Sequence, residues 1–270
     1  MPRALIVAPP TIDIMDHGLR PGGPGLYAGY ALSKLGYSVF LYGASGWLTR
    51  LVEGVEARLG LHRVGYYTPW SMGAVFRLVH KPDGNKSAVP VSRPPALDVQ
   101  SVLNVVNRVD IDLILLSPVY GEDCSLASTL GGHAMLAVDV QGYSRAGLDC
   151  PLDAPIVHVS VEDYGFHMLP GCMHGIVLYT LGVNGVIVVD GCRWLSIPGP
   201  DVILDDSTGA GDVFTALFSH YYLESSDALD AAVKAVAGTP RILAELHPLL
   251  ASTRLDPGIP GGRGLQGPIL

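Results

Sequence analysis

Short, almost continuous apolar runs alternate with stretches of helical spacing along most of the chain. The runs at 4–8, 38–43, 112–117, 135–140, 156–161 and 175–181 each end in polar or glycine-rich residues. That is the pattern of parallel strands buried on both faces. Between them, 25–35, 98–109 and 122–130 repeat their apolar positions at helical intervals. Strand, helix, strand in repetition predicts an α/β fold: a doubly wound, mostly parallel sheet flanked by helices. Two stretches break the alternation. Residues 62–92 hold three strand-like runs, at 62–68, 73–81 and 86–92, with no helix between them, and Asp83-Gly84 supplies a hairpin turn. Such an all-β insertion is either an edge extension or a flap over a site. Further on, 185–190, 193–198 and 202–206 read as another β run whose first turn is Asp190-Gly191, and helices at 212–223, 226–237 and 240–251 close the fold. The tail 257–270 lacks periodicity and is expected to wrap the surface or to be mobile.

Composition narrows the function. Of the 270 residues 49% are hydrophobic, ample for a core, so general disorder is excluded. The net charge is −8 with no run of Lys or Arg, which disfavours wrapping nucleic acid or lying on an anionic membrane. Glycine and proline make up one residue in five, suiting many tight turns and not a coiled coil or bundle. The cysteines at 124, 150, 172 and 192 lack zinc-ligand spacing and read as buried reduced thiols. The first ten residues do not form a signal-peptide core, and no stretch approaches the length of a membrane span. The expectation is a cytoplasmic, soluble protein.

The sharpest chemical signal lies at 205–214, where a short apolar run leads into a glycine-rich turn and then a helix with Phe214, Leu217, Phe218 and Tyr221 at helical spacing. The backbone N–H groups of Gly209, Ala210 and Gly211 would stand at a helix N-terminus, where unpaired amides and the helix dipole together favour an anion. Asp212 falls in the first turn beside them. A carboxylate next to a phosphate-sized pocket is what phosphoryl transfer needs to take a proton from an attacking hydroxyl. On physics alone an ordinary helix-terminal Asp is an almost equal reading.

The segment Asp206-Ser207-Thr208-Gly209-Ala210-Gly211-Asp212-Val213-Phe214 resembles the signature of the ribokinase-like, or PfkB, family of sugar and nucleoside kinases. The resemblance implies that Asp212 is the catalytic base and that Gly209, Ala210 and Gly211 form the anion hole. It further implies substrate contacts from Asp13, after the first strand, and from Gly22 and Gly23. Thr180, Gly182 and Gly185, in a TLGxxG-like turn, and Thr208, Gly209 and Gly211 would serve the nucleotide. The insertion at 62–92 corresponds to the family's β lid, with part of 9–24 contributing, and leaves 1–61 and 93–256 as the kinase core. Implied cofactors are ATP and magnesium, and also potassium, held near Asp206 and Thr208. The resemblance also allows a homodimer through the lid.

Departures bear on specificity. Tyr27 stands where the family often has Asn, so a cyclic polyol such as inositol or a nucleoside becomes a candidate acceptor beside simple sugars. Asp139 and Gln141 follow a central strand, where the family places substrate- or phosphate-proximal groups. The magnesium-organising NxxE motif maps onto Ser160-Val161-Glu162-Asp163, leaving Glu162 and Asp163 to act through water. His158 and His167 fall in different elements with no third ligand and read as ordinary histidines. The expected function is transfer of the γ-phosphoryl group of ATP to a hydroxyl of a small sugar, polyol or nucleoside. The alternative is a non-catalytic binding or regulatory protein that keeps the fold.

Overall fold

The first apolar run becomes strand β1 (Arg3–Val7), whose side chains alternate between two cores. Ala4 and Ile6 enter one cluster and Leu5 and Val7 the other, which is why the run is apolar at every position. The same division holds in β10 (Leu113–Leu116) and β11 (Met135–Asp139). In the computed structural model, residues 1–15, 18–80, 86–120, 124–148, 150, 154–161, 174–202, 204–253 and 255 are described.

The remaining strands of the large sheet are β4 (Ser38–Tyr42), β6 (His62–Arg63), β12 (Ile156–Ser160), β13 (Ile176–Thr180), β14 (Val186–Asp190) and β15 (Arg193–Ile197). Their order is β15-β14-β13-β12-β11-β10-β1-β4-β6. All pairings are parallel except those of β13 with β14 and β14 with β15. On one face lie α1 (Pro24–Lys34), α6 (Ala210–Ser225) and α7 (Ala228–Ala251); α3 (Val99–Val106), α4 (Ser125–Leu130) and α5 (Gln141–Arg145) supply the other face. A short α2 (Glu53–Arg58) precedes β6. From β1 the chain winds to β4 in one direction and from β10 to β13 in the other. The reversal between β1 and β10 is the kind of switch point at which open α/β sheets bind ligands, beyond the strands' carboxyl ends.

A separate four-stranded sheet has the order β3-β2-β8-β9, from β2 (Thr11–Met15), β3 (Gly18–Gly22), β8 (Ala74–His80) and β9 (Lys86–Ser92). Two of its strands come from before α1. The predicted run 62–68 does not join it: β6 extends the large sheet, and β7 (Tyr66–Thr68) pairs with β5 (Ala44–Gly46).

Three expectations need correction. No strand is found among the described residues of 202–206, which form an irregular lead into α6. The two helices predicted across 226–251 are one, α7, which runs through Pro240 and Pro248. Burial of Ile242, Leu243, Leu246 and Leu250 beyond Pro240 holds the helix together despite the lost backbone donor. The reduced-thiol reading also fails. Cys124 and Cys150 are disulfide-bonded, their Cα atoms brought to 5.4 Å because α4, β11 and α5 double back between them. Cys192 is disulfide-bonded too.

Candidate active site

The predicted phosphate loop closes onto α6 as expected, with one difference in its donors. Gly209 caps the helix in the left-handed conformation (φ 81°, ψ 4°), which glycine adopts without steric cost. Ala210 N–H donates to the Ser207 carbonyl at 3.0 Å, so it is not a free anion donor. Among the described residues the amides of Gly209, Gly211 and Asp212 have no acceptor, and they stand at the positive end of a sixteen-residue helix. The loop is packed from both sides. A Cβ on Gly209 would lie 2.1 Å from the Tyr27 ring, and one on Gly211 would lie 3.0 Å from His158 Cε1.

Asp212 lines a small cavity together with Asp139, Ser117 and Thr215. Burial pushes its carboxyl up to about 8, assisted by the negative charge of Asp139 and opposed by His158 and Arg145. Asp139 sits at the end of β11 with both oxygens engaged: Oδ2 lies 2.8 Å from His158 Nδ1, and Oδ1 accepts from the Gln141 amide at 2.8 Å. Burial alone would raise Asp139, but the His158 charge and hydrogen bond together with the Gln141 amide hold it below the usual carboxylate range. His158 Nε2 lies 3.1 Å from Thr180 Oγ1, so one polar chain links the ends of β11, β12 and β13. Asp212 is thus a protonatable group beside a carboxylate that stays ionised, the divergence that separates acid from base roles at one site.

On the other side of the loop, the antiparallel register of β2 and β3 sets Asp13 opposite Arg20. Arg20 Nη1 donates to Asp206 Oδ2 at 2.6 Å, and Nη2 lies 3.7 Å from Asp13 Oδ2. Arg20 Nε and Nη2 are buried without a hydrogen-bond acceptor among the described residues. Burial raises Asp13 to about 6, although the Arg20 charge opposes it. Gly22 leaves the room this carboxylate needs, since a Cβ there would come within 2.7 Å of Asp13 Oδ2. Gly23 caps α1 at φ 99°.

Tyr27 differs from expectation. Expected at the substrate, it is 1% exposed and forms the floor beneath Gly209, its hydroxyl buried with no hydrogen-bond partner among the described residues. Gly182 opens a short 3₁₀ turn after Thr180, and Gly185 closes it against the Ile197 carbonyl at a spacing no Cβ would fit. Glu162, Asp163 and His167 lie outside the described residues. Sequence reasoning missed Arg20, Arg145, His158 as a site residue, and His247, whose Nε2 lies 3.0 Å from the Thr208 carbonyl. Arg20 could have been found from the pattern, because a hairpin that places Asp13 at the site also selects the residue across from it.

No helix among the described residues is long and apolar enough to cross a membrane. Among curated proteins nothing matches the chain. The sequence profile of the pfkB family carbohydrate kinases matches residues 162–238, the stretch that holds both the 180–185 turn and the 206–214 loop. A pyrophosphate-dependent kinase of the ribokinase family, solved with a pyrophosphate analogue and myo-inositol, superposes with a TM-score of 0.70 at 18% identity over 90% of this chain and 95% of that one. The fold is that of the ribokinase-like kinases. Two further ribokinase-like neighbours agree. A fructokinase from Vibrio cholerae bound to fructose, ADP and a calcium ion gives 0.66 at 14% identity, covering 93% and 99%. The aminoimidazole riboside kinase of Salmonella enterica, with its riboside and an ATP analogue, gives 0.64 at 15%, covering 92% and 99%. Signature and fold together set this chain beside the PfkB carbohydrate and nucleoside kinases.

The pKa directions fix a pH dependence. Both Asp212 and Asp13 have folded values above their ordinary 3.8, near 8 and 6. Each therefore contributes stability that is full below the ordinary carboxylate range and is lost as pH rises to its folded value. The melting temperature is expected to fall between pH 6 and 8.5, and Asp212→Asn is expected to remove most of that slope. A wild-type curve flat across this window, or the same slope in the variant, would show Asp212 already ionised at pH 6.

Proposed function

We propose that the chain is a magnesium-dependent kinase that transfers the γ-phosphoryl group of ATP to a hydroxyl of a small sugar, polyol or nucleoside. The observation that carries this reading is Asp212 in the first turn of α6, beside three backbone amides that lack acceptors among the described residues. Such amides are matched to a phosphoryl oxygen, and the carboxylate to the hydroxyl that attacks it.

In this reading Asp13 orients the acceptor through its hydroxyls, with the Gly22–Gly23 backbone allowing close approach. Asp212 takes the proton of the attacking hydroxyl while the Gly209, Gly211 and Asp212 amides hold the transferred group. Thr180, Gly182, Gly185 and Thr208 edge the side from which the nucleotide enters. The four-stranded sheet carries Asp13 and Arg20 and covers the acceptor against water, which would otherwise compete for the phosphoryl group. Among the described residues no cluster of three or more side chains could hold a metal directly; Glu162 and Asp163 are the groups assigned to magnesium, through water. Magnesium, when bound, would neutralise phosphate charge.

The test is acceptor-dependent turnover. Incubation with ATP, magnesium and a panel of sugars, inositols and nucleosides should release ADP only when a suitable acceptor is present, and EDTA should abolish it. Pyrophosphate belongs in the panel as donor, because the inositol-bound neighbour uses it. ADP release indifferent to every acceptor, or no consumption of either donor, would count against the kinase reading.

A further inference from the structure

The loop that leads into α6 carries a negative side chain, Asp206, immediately before the anion hole, and a kinase of this kind would be expected to seat an alkali cation there. The oxygens that such an ion would need are already occupied. Asp206 Oδ1 accepts from both the Thr208 amide, at 2.9 Å, and the Thr208 hydroxyl, at 2.6 Å. Asp206 Oδ2 accepts from Arg20 Nη1 at 2.6 Å. The Thr208 carbonyl faces His247 Nε2 at 3.0 Å. Both carboxylate oxygens of Asp206 and the Thr208 carbonyl thus already have protein partners that a potassium ion would have to displace. What stands against the carboxylate instead is a guanidinium whose side chain is only 14% exposed.

We infer that Arg20 is a tethered cation that takes the place of a monovalent metal ion beside Asp206, so that the site works without potassium. The placement comes from the fold. Pairing of β2 with β3 puts Arg20 across from Asp13, and from there one guanidinium spans two carboxylates on different parts of the chain, Asp13 on the small sheet and Asp206 on the phosphate loop. A guanidinium suits this better than an ammonium, because its delocalised charge can hydrogen-bond Asp206 through Nη1 while Nη2 stays within ion-pair distance of Asp13. It also stays protonated at every working pH. The consequence is positional: by closing Asp206 Oδ2, Arg20 leaves Oδ1 to the turn that aims Gly209 and the helix amides. Arg20 is therefore a positioning residue for the anion hole.

The inference rests on the kinase reading only for turnover; its melting arm needs no reaction. Wild-type protein is compared in potassium, sodium and tetramethylammonium chlorides at equal ionic strength. Turnover and melting temperature should be the same in all three. Arg20→Ala removes the cation that Asp13 and Asp206 share. It should lose at least about tenfold in turnover in tetramethylammonium, as expected when a charge-assisted hydrogen bond is removed. Potassium or millimolar guanidinium should restore part of that turnover and raise the variant's melting temperature, while leaving the wild type unchanged. A wild type whose turnover or melting temperature rises with potassium over tetramethylammonium would overturn the proposal, whether or not the variant folds. So would an Arg20→Ala protein that keeps wild-type melting and turnover in tetramethylammonium. If no acceptor in the panel is turned over, the melting comparison alone decides between the tethered and the diffusible cation.

Discussion

Asp212→Asn is expected to reduce kcat by roughly 10²- to 10⁴-fold, the usual contribution of a general base. The amide keeps the size of the side chain, so the helix start and the Gly209 turn should survive. What is lost is the group that takes the hydroxyl proton, together with a negative charge beside the amides that hold the phosphoryl group. Nucleotide affinity should therefore hold or rise. Stability should not fall either. The wild-type carboxyl is held up to about 8 by burial and by the neighbouring Asp139 charge, so above that pH the native protein carries an unfavourable buried anion that the variant lacks. The combined signature is a collapse in turnover with intact nucleotide binding and a melting temperature at pH 8.5 equal to or above that of the wild type. A kcat within a few-fold of wild type would make Asp212 a helix-terminal Asp and nothing more. The wild-type profile should agree: kcat/KM reports the free enzyme, and it should rise with pH up to about 8.

Gly209→Ala should be among the most damaging single methyl groups in the site. Its φ of +81° disfavours any side chain, and the added Cβ would sit 2.1 Å from the buried Tyr27 ring. The left-handed backbone costs about 1–2 kcal/mol and the overpacking about 1–3 kcal/mol more, which for a chain of this size lowers the melting temperature on the order of 10 °C. Because relief of the clash has to move the loop or the ring, affinity for a phosphate donor should fall at least about tenfold, the loss expected when an amide aligned to a charged oxygen is displaced. Gly191→Ala is the control. Its φ is +59°, but nothing lies within 4 Å of the added Cβ, so only the backbone term applies and donor affinity should be unchanged. Equal damage from the two substitutions would mean that Tyr27 does not brace the loop.

The large sheet was legible in the sequence because its strands are buried on both faces and so read as unbroken apolar runs. The 205–214 loop was legible because its residues match the PfkB signature; the glycine turn and helix alone left an ordinary helix-terminal Asp almost as good a reading. The small sheet was harder, since half of it is built from β2 and β3, ten-odd residues whose β pairing with β8 spans some sixty positions. The break expected between 237 and 240 is not there, because the apolar stripe beyond Pro240 packs firmly enough to carry one helix through. The reduced-thiol reading failed for a related reason: the spacing of the cysteines says nothing of how α4, β11 and α5 double back. The site residues that were missed share one trait. Arg20, Arg145, His158 and His247 act through partners distant in sequence: Asp206, Val119, Asp139 and Thr208. Apart from Arg20, which the β2–β3 hairpin sets opposite Asp13, no local motif encodes such pairs.

Whether phosphate is transferred at all is best read by ³¹P NMR of wild-type protein with ATP, magnesium and the acceptor that gives the most ADP. The γ-phosphate signal of ATP should be replaced by that of a phosphomonoester coupled to a carbon-bound proton of the acceptor, and Asp212→Asn under the same conditions should leave ATP unconsumed. Appearance of inorganic phosphate without a phosphomonoester, or equal product from the Asp212→Asn protein, would contradict phosphoryl transfer to a hydroxyl by this site.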